Sequence, residues 1–166
     1  MPIREIAVSN FKSFRKMAIE PDNFNIIIGS NAAGKSNFIQ VFKFIRDIAK
    51  YGLNNAISLQ GGVEYLRNTI IGPDEPFNFR IVYNLEEKLE EVIGLWNTIP
   101  VSFEPFEILY EFELTFIDSG EYYEITRDLL VISGNYFLSG QDAVEELGAG
   151  TISLTLVDQS IRYSIH

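Results

Sequence analysis

The sequence predicts an α/β fold whose opening third is a strand, a glycine-rich loop and a helix, and whose remainder is a mostly antiparallel β-sheet. Three observations carry this. Gly29–Ser36 fits G-x-x-x-x-G-K-[ST] in every fixed position. Ile26, Ile27 and Ile28 before it form a β-branched run suited to a central strand buried on both faces, and Phe38, Val41, Phe42, Ile45, Ile48 and Ala49 after it recur at spacings of three and four, as on one stripe of a helix. From Phe106 to Phe116 every even position is apolar, the alternation of a half-buried antiparallel strand.

The loop's residue types suit phosphate. Gly29 and Gly34 permit backbone conformations that a Cβ would hinder, so that successive N–H groups of Ser30, Asn31, Ala32 and Ala33 can turn toward phosphate oxygens. A helix starting near Lys35 adds unpaired N–H groups and a positive dipole end. Lys35 supplies a point charge for the β- and γ-phosphates, and the Ser36 hydroxyl is placed to ligate Mg²⁺. The pattern therefore predicts a nucleoside triphosphate site.

In chain order, Ile3–Val8 reads as a first strand with Ser9 and Asn10 as its exit, and Met17–Ile19 as a short second one. Pro21-Asp22-Asn23 then turns into the strand before the loop. Residues 52–76 hold Gly61-Gly62, Gly72-Pro73 and Pro76, a density of breakers that predicts a short helix and loops. Phe77–Leu85 reads as a strand, and Glu86–Trp96 as a helix with Leu89, Val92, Ile93 and Trp96 on one stripe. Asp118-Ser119-Gly120 turns the Phe106–Phe116 strand into a return strand, Tyr122–Val131. Ser133-Gly134-Asn135 predicts a further turn toward Tyr136–Leu138, with short strands around Ile152–Val157 and Arg162–Ile165 closing the sequence. The expected organisation is one unit with three subdivisions, at 1–51, 52–76 and 77–166.

Composition excludes several chemistries. With 166 residues, 46% of them hydrophobic, the chain can bury a core. It has no cysteine and one histidine, His166, which argues against a zinc site or a Ser-His-Asp triad. No apolar run approaches the roughly 20 residues of a membrane span, and the first residues lack a signal-peptide core, so no membrane partner and a cytoplasmic location are expected. The net charge of -10 is uneven: residues 1–50 carry eight Lys/Arg against four acids, the rest five against nineteen. The acidic body disfavours non-specific nucleic-acid binding by this chain alone.

The order strand, N-F-K-S-F (Asn10–Phe14), strand, then Asn25-Ile26-Ile27-Ile28-Gly29-Ser30-Asn31-Ala32-Ala33-Gly34-Lys35-Ser36-Asn37-Phe38 resembles the N-terminal lobe of SMC/RecF/OLD-like ATPases, a branch of the ABC-type P-loop ATPases. The resemblance is dense over Ile3–Ile48 and includes Asn31 and Asn37; beyond it only the layout is similar. It implies Mg-ATP binding by Gly29–Asn37, a catalytic role for Lys35, and Lys12 and Ser13 beside the adenine or α-phosphate. An exposed basic turn is the alternative for Lys12. The resemblance also implies an ATP-dependent head-to-head dimer when complete, acting on DNA in repair or defence.

Hydrolysis needs a carboxylate for Mg²⁺ and a group that positions water. Two stretches mimic the family's signature and Walker B motifs, Leu138-Ser139-Gly140-Gln141-Asp142 and Leu154-Thr155-Leu156-Val157-Asp158-Gln159. Both are rejected: Gly148-Ala149-Gly150 stops any helix after the first, and Gln159 stands where the glutamate belongs, so a hairpin loop and an edge strand are expected. The catalytic C-terminal half is then expected in cis or trans, and this chain alone binds ATP without turning it over. A non-catalytic nucleotide-dependent interaction module is the alternative. A small P-loop kinase or GTPase is a third reading, weakened by the absence of D-x-x-G and N-K-x-D.

Overall fold

The computed structural model describes residues 3–31, 33–86, 91–139, 144–157 and 160–166. Its strands are β1 (Ile3–Phe11), β2 (Phe14–Ile19), β3 (Phe77–Asn84), β4 (Glu91–Trp96), β5 (Ile99–Ile117), β6 (Tyr122–Ser139), β7 (Val144–Val157) and β8 (Ser160–Ile165). The helices are α1 (Lys35–Tyr51) and α2 (Leu53–Leu59), with 3₁₀ turns at Val63–Tyr65 and Asp118–Gly120. All strands join one antiparallel sheet in the order β2-β1-β3-β5-β6-β7-β8, and β4 pairs with β5 beyond the end of β3.

One face of β1, β3 and β5 carries the core. Register places Val8 opposite Phe79 and Phe79 opposite Phe112, so alternate residues of three strands present one apolar surface. Helix α1 lays Val41 and Phe44 on it, and α2 adds Ala56 and Ile57. Phe11, Phe44 and Phe77 are almost wholly buried and form a tilted aromatic run, with centroids 6.1 Å apart for Phe11–Phe44, 5.7 Å for Phe11–Phe77 and 5.6 Å for Phe44–Phe77. Tilted and edge-on rings at these spacings add to burial. The expected helical stripe was offset: Phe44 and Asp47 are buried, whereas Phe42 and Ala49 are exposed.

Several expectations are corrected. Ile26, Ile27 and Ile28 form no strand and are 71%, 48% and 86% exposed. A central strand needs hydrogen-bonding neighbours on both sides, and no described strand pairs with these residues. The stretch Glu91–Trp96 is a strand, not a helix, because Asn97 and Thr98 both take positive φ (48° and 73°) and make the tight turn of a β4–β5 hairpin; Leu89 lies outside the described residues. First-strand pairing continues through Ser9 and Asn10 to Phe11.

Ser133-Gly134-Asn135 is not a turn either, since β6 runs unbroken through it. Gly134 and Gly150 sit opposite one another, and a Cβ on Gly134 would lie 2.5 Å from the Phe103 ring, one on Gly150 2.4 Å from the Tyr136 ring. These glycines make room for the Phe103–Tyr136 pair, whose centroids are 4.7 Å apart. Of the two motif mimics, residues 140–142, 158 and 159 lie outside the described residues. Leu154 belongs to β7, which is flanked by β6 and β8 and so is not the expected edge strand. Among the described residues no helix is long and apolar enough to cross a membrane.

Truncating the aromatic run is costly in this arrangement. Phe77→Ala removes the ring that touches both Phe11 and Phe44, and a loss of about 3–5 kcal/mol is expected from buried Phe-to-Ala changes, read as a lowered urea midpoint with unchanged m-value.

Candidate functional site

The N-terminus of α1 is set by Gly34, at φ 90° and without a side-chain cap. The first intrahelical bond is Phe38 N–H to Gly34 O at 3.1 Å, so no such bond takes up the N–H groups of Lys35, Ser36 and Asn37. No acidic side chain occupies the first turn. Such an end attracts an anion.

Gly34 is required twice over. Its φ belongs to the left-handed region, and a Cβ there would lie 2.7 Å from Ser13 Oγ and 3.3 Å from the Phe14 ring. Gly29, by contrast, has no positive φ, and its added Cβ would meet only Ala33 Cβ at 3.2 Å, so the steric need expected of it is modest. Lys35 folds back over the loop, its Nζ donating to Gly29 O at 2.7 Å and Ser30 O at 2.6 Å. Ala33 N–H closes a turn onto Ser30 O at 3.3 Å, Asn31 and Ser36 are exposed, and Ala32 lies outside the described residues.

Lys12 and Ser13 form the two-residue connection between β1 and β2, where Phe11 pairs with Phe14. Ser13 Oγ accepts from Asn37 Nδ2 at 2.8 Å, which brings the expected residues Ser13, Gly34 and Asn37 together. Lys12 takes a positive φ of 48° and is held by three bonds: its N–H to Leu66 O (2.9 Å), its Nζ to Tyr65 O (3.3 Å), and its carbonyl from Asn68 Nδ2 (2.8 Å). Partial burial lowers the Lys12 pKa by desolvation. An anion placed beside it draws that pKa back up.

Two buried asparagines, which sequence reasoning missed, hold this corner. Asn10 donates to Gly72 O (3.1 Å) and Glu75 O (2.5 Å) and accepts from Asn68 N–H (2.9 Å). Asn68 Oδ1 accepts from Ile70 N–H (3.0 Å) and Ile71 N–H (3.2 Å). The breaker-rich connector is thereby fixed against the β1–β2 turn, and a cleft of about 540 Å³ opens between them, lined by Lys12, Ser13, Asn37, Glu64, Tyr65 and Arg67 among others. Only the tendency of Asn to adopt positive φ pointed to Asn10, whose φ is 50°.

A glycine-bearing loop at an uncapped helix N-terminus, a lysine turned onto it and a second turn packed against its glycine make an end suited to an anion. The family model of the AAA ATPase domain matches residues 1–134, and the chain belongs to that family. A relative, Endonuclease GajA of Bacillus cereus (strain VD045), is 40% identical over 58 residues, 34% of this chain and 10% of the relative. The matched part thus spans about a tenth of that protein. The resemblance to the N-terminal region of SMC/RecF/OLD-like ATPases stands with these findings, and ATPase-like nucleotide binding with it.

The clamp is testable apart from any ligand. Asn68→Ala removes the partner of the Lys12 carbonyl and of the Ile70 and Ile71 amides, so a loss of about 1–3 kcal/mol of stability is expected, and urea unfolding measures it. An unchanged midpoint would mean that the clamp is dispensable.

Proposed function

We propose that Gly29–Asn37 binds Mg-ATP and that this chain is the nucleotide-binding half of an SMC/RecF/OLD-like ATPase. The observation that carries the reading is Lys35, whose ammonium is held, among the described residues, by Gly29 O and Ser30 O. Two neutral carbonyls beside an uncapped helix end are the partners that β- and γ-phosphate oxygens would replace with stronger, charge-assisted bonds. Loop amides from Ser30 to Gly34 and those of Lys35 and Ser36 orient the phosphates. Lys12 and Ser13 face the α-phosphate or the base, with Asn37 fixing the Ser13 hydroxyl.

Mg²⁺, bound with the nucleotide, would supply charge neutralisation at the phosphates. The exposed Ser36 hydroxyl suits it as one ligand, and among the described residues no cluster of three or more His, Cys, Asp or Glu is built for a metal. Such a site takes the ion together with the nucleotide's own oxygens. Lys35 holds charge on the transferring phosphoryl group; the Walker B carboxylate and the signature motif come from a C-terminal half, in cis or trans.

Support for that half comes from the apolar strip before the loop. Phe24 is 80% exposed, and a cleft of about 700 Å³ runs between Ile26–Ile28 and Phe14, Met17, Ile19, Phe38 and Phe42. The strip is suited to the flanking strands that a central P-loop strand lacks here. ATP-dependent head-to-head dimerisation and work on DNA in repair or defence complete the proposal. The same strip is consistent with a non-catalytic nucleotide-dependent interaction module, which would bind ATP and never release phosphate even with the second half present.

Calorimetry with Mg-ATP tests the core of the reading. Lys35→Ala is expected to lose affinity by roughly ten- to a hundredfold, the worth of charged hydrogen bonds of about 1.5–3 kcal/mol, with the thermal transition in place. A parallel test addresses the strip: Ile26→Asp with Ile28→Asp should shift the stability of this chain by under about 0.5 kcal/mol, as at other exposed sites, yet prevent co-purification with a co-expressed C-terminal half. Undiminished co-purification would remove the strip from the interface.

A further inference from the structure

The core face of the sheet runs on past the helices. Register sets Ile81, Tyr110, Leu130, Leu154 and Tyr163 side by side across five strands, and Tyr83, Ile108, Ile132, Ile152 and Ile165 in the next row. Both rows lie on the side that carries Phe79 and Phe112, because residues two apart on a strand share a face. Ile81 and Tyr110 pack against the cluster beneath α1 and α2, so the rows continue the surface on which those helices rest. Farther out the cover thins: Leu154 is 37% exposed, Ile165 56% and Tyr163 76%. Five strands about 4.8 Å apart span about 19 Å, room for one more helix about 10 Å across. Beyond the second row, Phe103 and Tyr136 fold onto Gly134 and Gly150 and close that end.

Charge decides what can settle there. Residues 91–166 carry thirteen Asp or Glu against two Arg. Both arginines belong to the opposite face: Arg127 is bound to Glu111, and Arg162 stands across from Thr155. On the apolar side, Asp128 stands across from Phe112 at one end, and the exposed Glu145 across from Leu138 at the other. Such a surface repels an anionic membrane or a nucleic acid, and a second copy brings the same excess of carboxylates. A cationic partner is drawn to it.

We infer that this face docks an amphipathic helix of a partner polypeptide, with its apolar stripe on the two rows and Lys or Arg along its borders toward Asp128 and Glu145. All the row residues are Ile, Leu or Tyr, and the tyrosines add rigid contact area with a polar tip. Docking there needs no nucleotide, so it stands or falls apart from the phosphate-loop reading.

Fluorescence anisotropy with the full chain tests it, the probe being a labelled synthetic helix of about five turns with leucines at i, i+3, i+4 and i+7 and lysines elsewhere. Wild type should bind it saturably, with Kd on the order of micromolar, and should bind a scrambled peptide of the same composition at least about tenfold more weakly. Leu154→Glu with Tyr163→Glu should weaken binding by about tenfold or more, although it adds two carboxylates; a purely electrostatic contact would tighten instead. Tyr163→Glu alone, at so exposed a position that the fold is kept, should show part of the loss, and Arg162→Ala on the other face none. Equal binding of the scrambled peptide, or undiminished binding by the double variant, overturns the proposal. So does a wild-type dimer in sedimentation, or capture by phosphatidylserine vesicles, that the double variant abolishes, since the face would then belong to a second copy or to a membrane.

Discussion

The arrangement depends on one packing contact, the seating of α1 on the sheet through Phe44. Phe11 ends β1, Phe77 begins β3, and Phe44 meets both rings from the helix. Because these three strand and helix positions share one wholly buried cluster, the N-terminus of α1 is held over the β1–β2 turn. Everything the loop can do chemically follows from that placement. Gly34 is then pressed against Ser13 and Phe14, where a side chain larger than hydrogen would force the two apart.

Polar groups finish what the aromatic cluster begins. The connector between α2 and β3 is rich in breakers and buries little apolar surface beyond Leu66, so hydrophobic burial gives it little to hold it in place. Asn10 and Asn68 replace sheet hydrogen bonding there, satisfying five described backbone groups besides each other. A buried amide that is fully bonded specifies position, since any shift would leave costly unpaired groups. Lys12 can therefore hold a positive φ, strained for a lysine, at the cleft.

What the sequence made legible was local and periodic. Gly34, Lys35 and Ser36 declare a loop before a helix through residue type alone, and Phe112, Leu114 and Phe116 declare a buried strand face by alternation; all lie where expected. The failures have a common cause in long-range context. Gly134 looks like a turn residue, yet its smallness answers to Phe103 on a neighbouring strand. Val92 and Ile93 fit a helical spacing, but the positive φ of Asn97 and Thr98 decides for a hairpin. The bonds of Asn68 and Arg67 reach across more than fifty residues of sequence, and no periodicity records such pairs.

Ile26–Ile28 mark the limit of the same reasoning from the other side. β-branched runs without polar alternation encode burial on two faces, and the chain delivers neither face: the residues are exposed and unpaired in the described sheet. Pattern and environment thus conflict: the described residues alone do not satisfy what this run encodes. Among the described residues the two most exposed large apolar side chains, Phe24 (80%) and Ile28 (86%), lie in the segment leading into the glycine loop, whereas β1, β3 and β5 bury one apolar face against α1. On the proposed reading, a site completed by a second half has its seam at Ile26–Ile28, beside the loop whose helix α1 is anchored on β1 and β3.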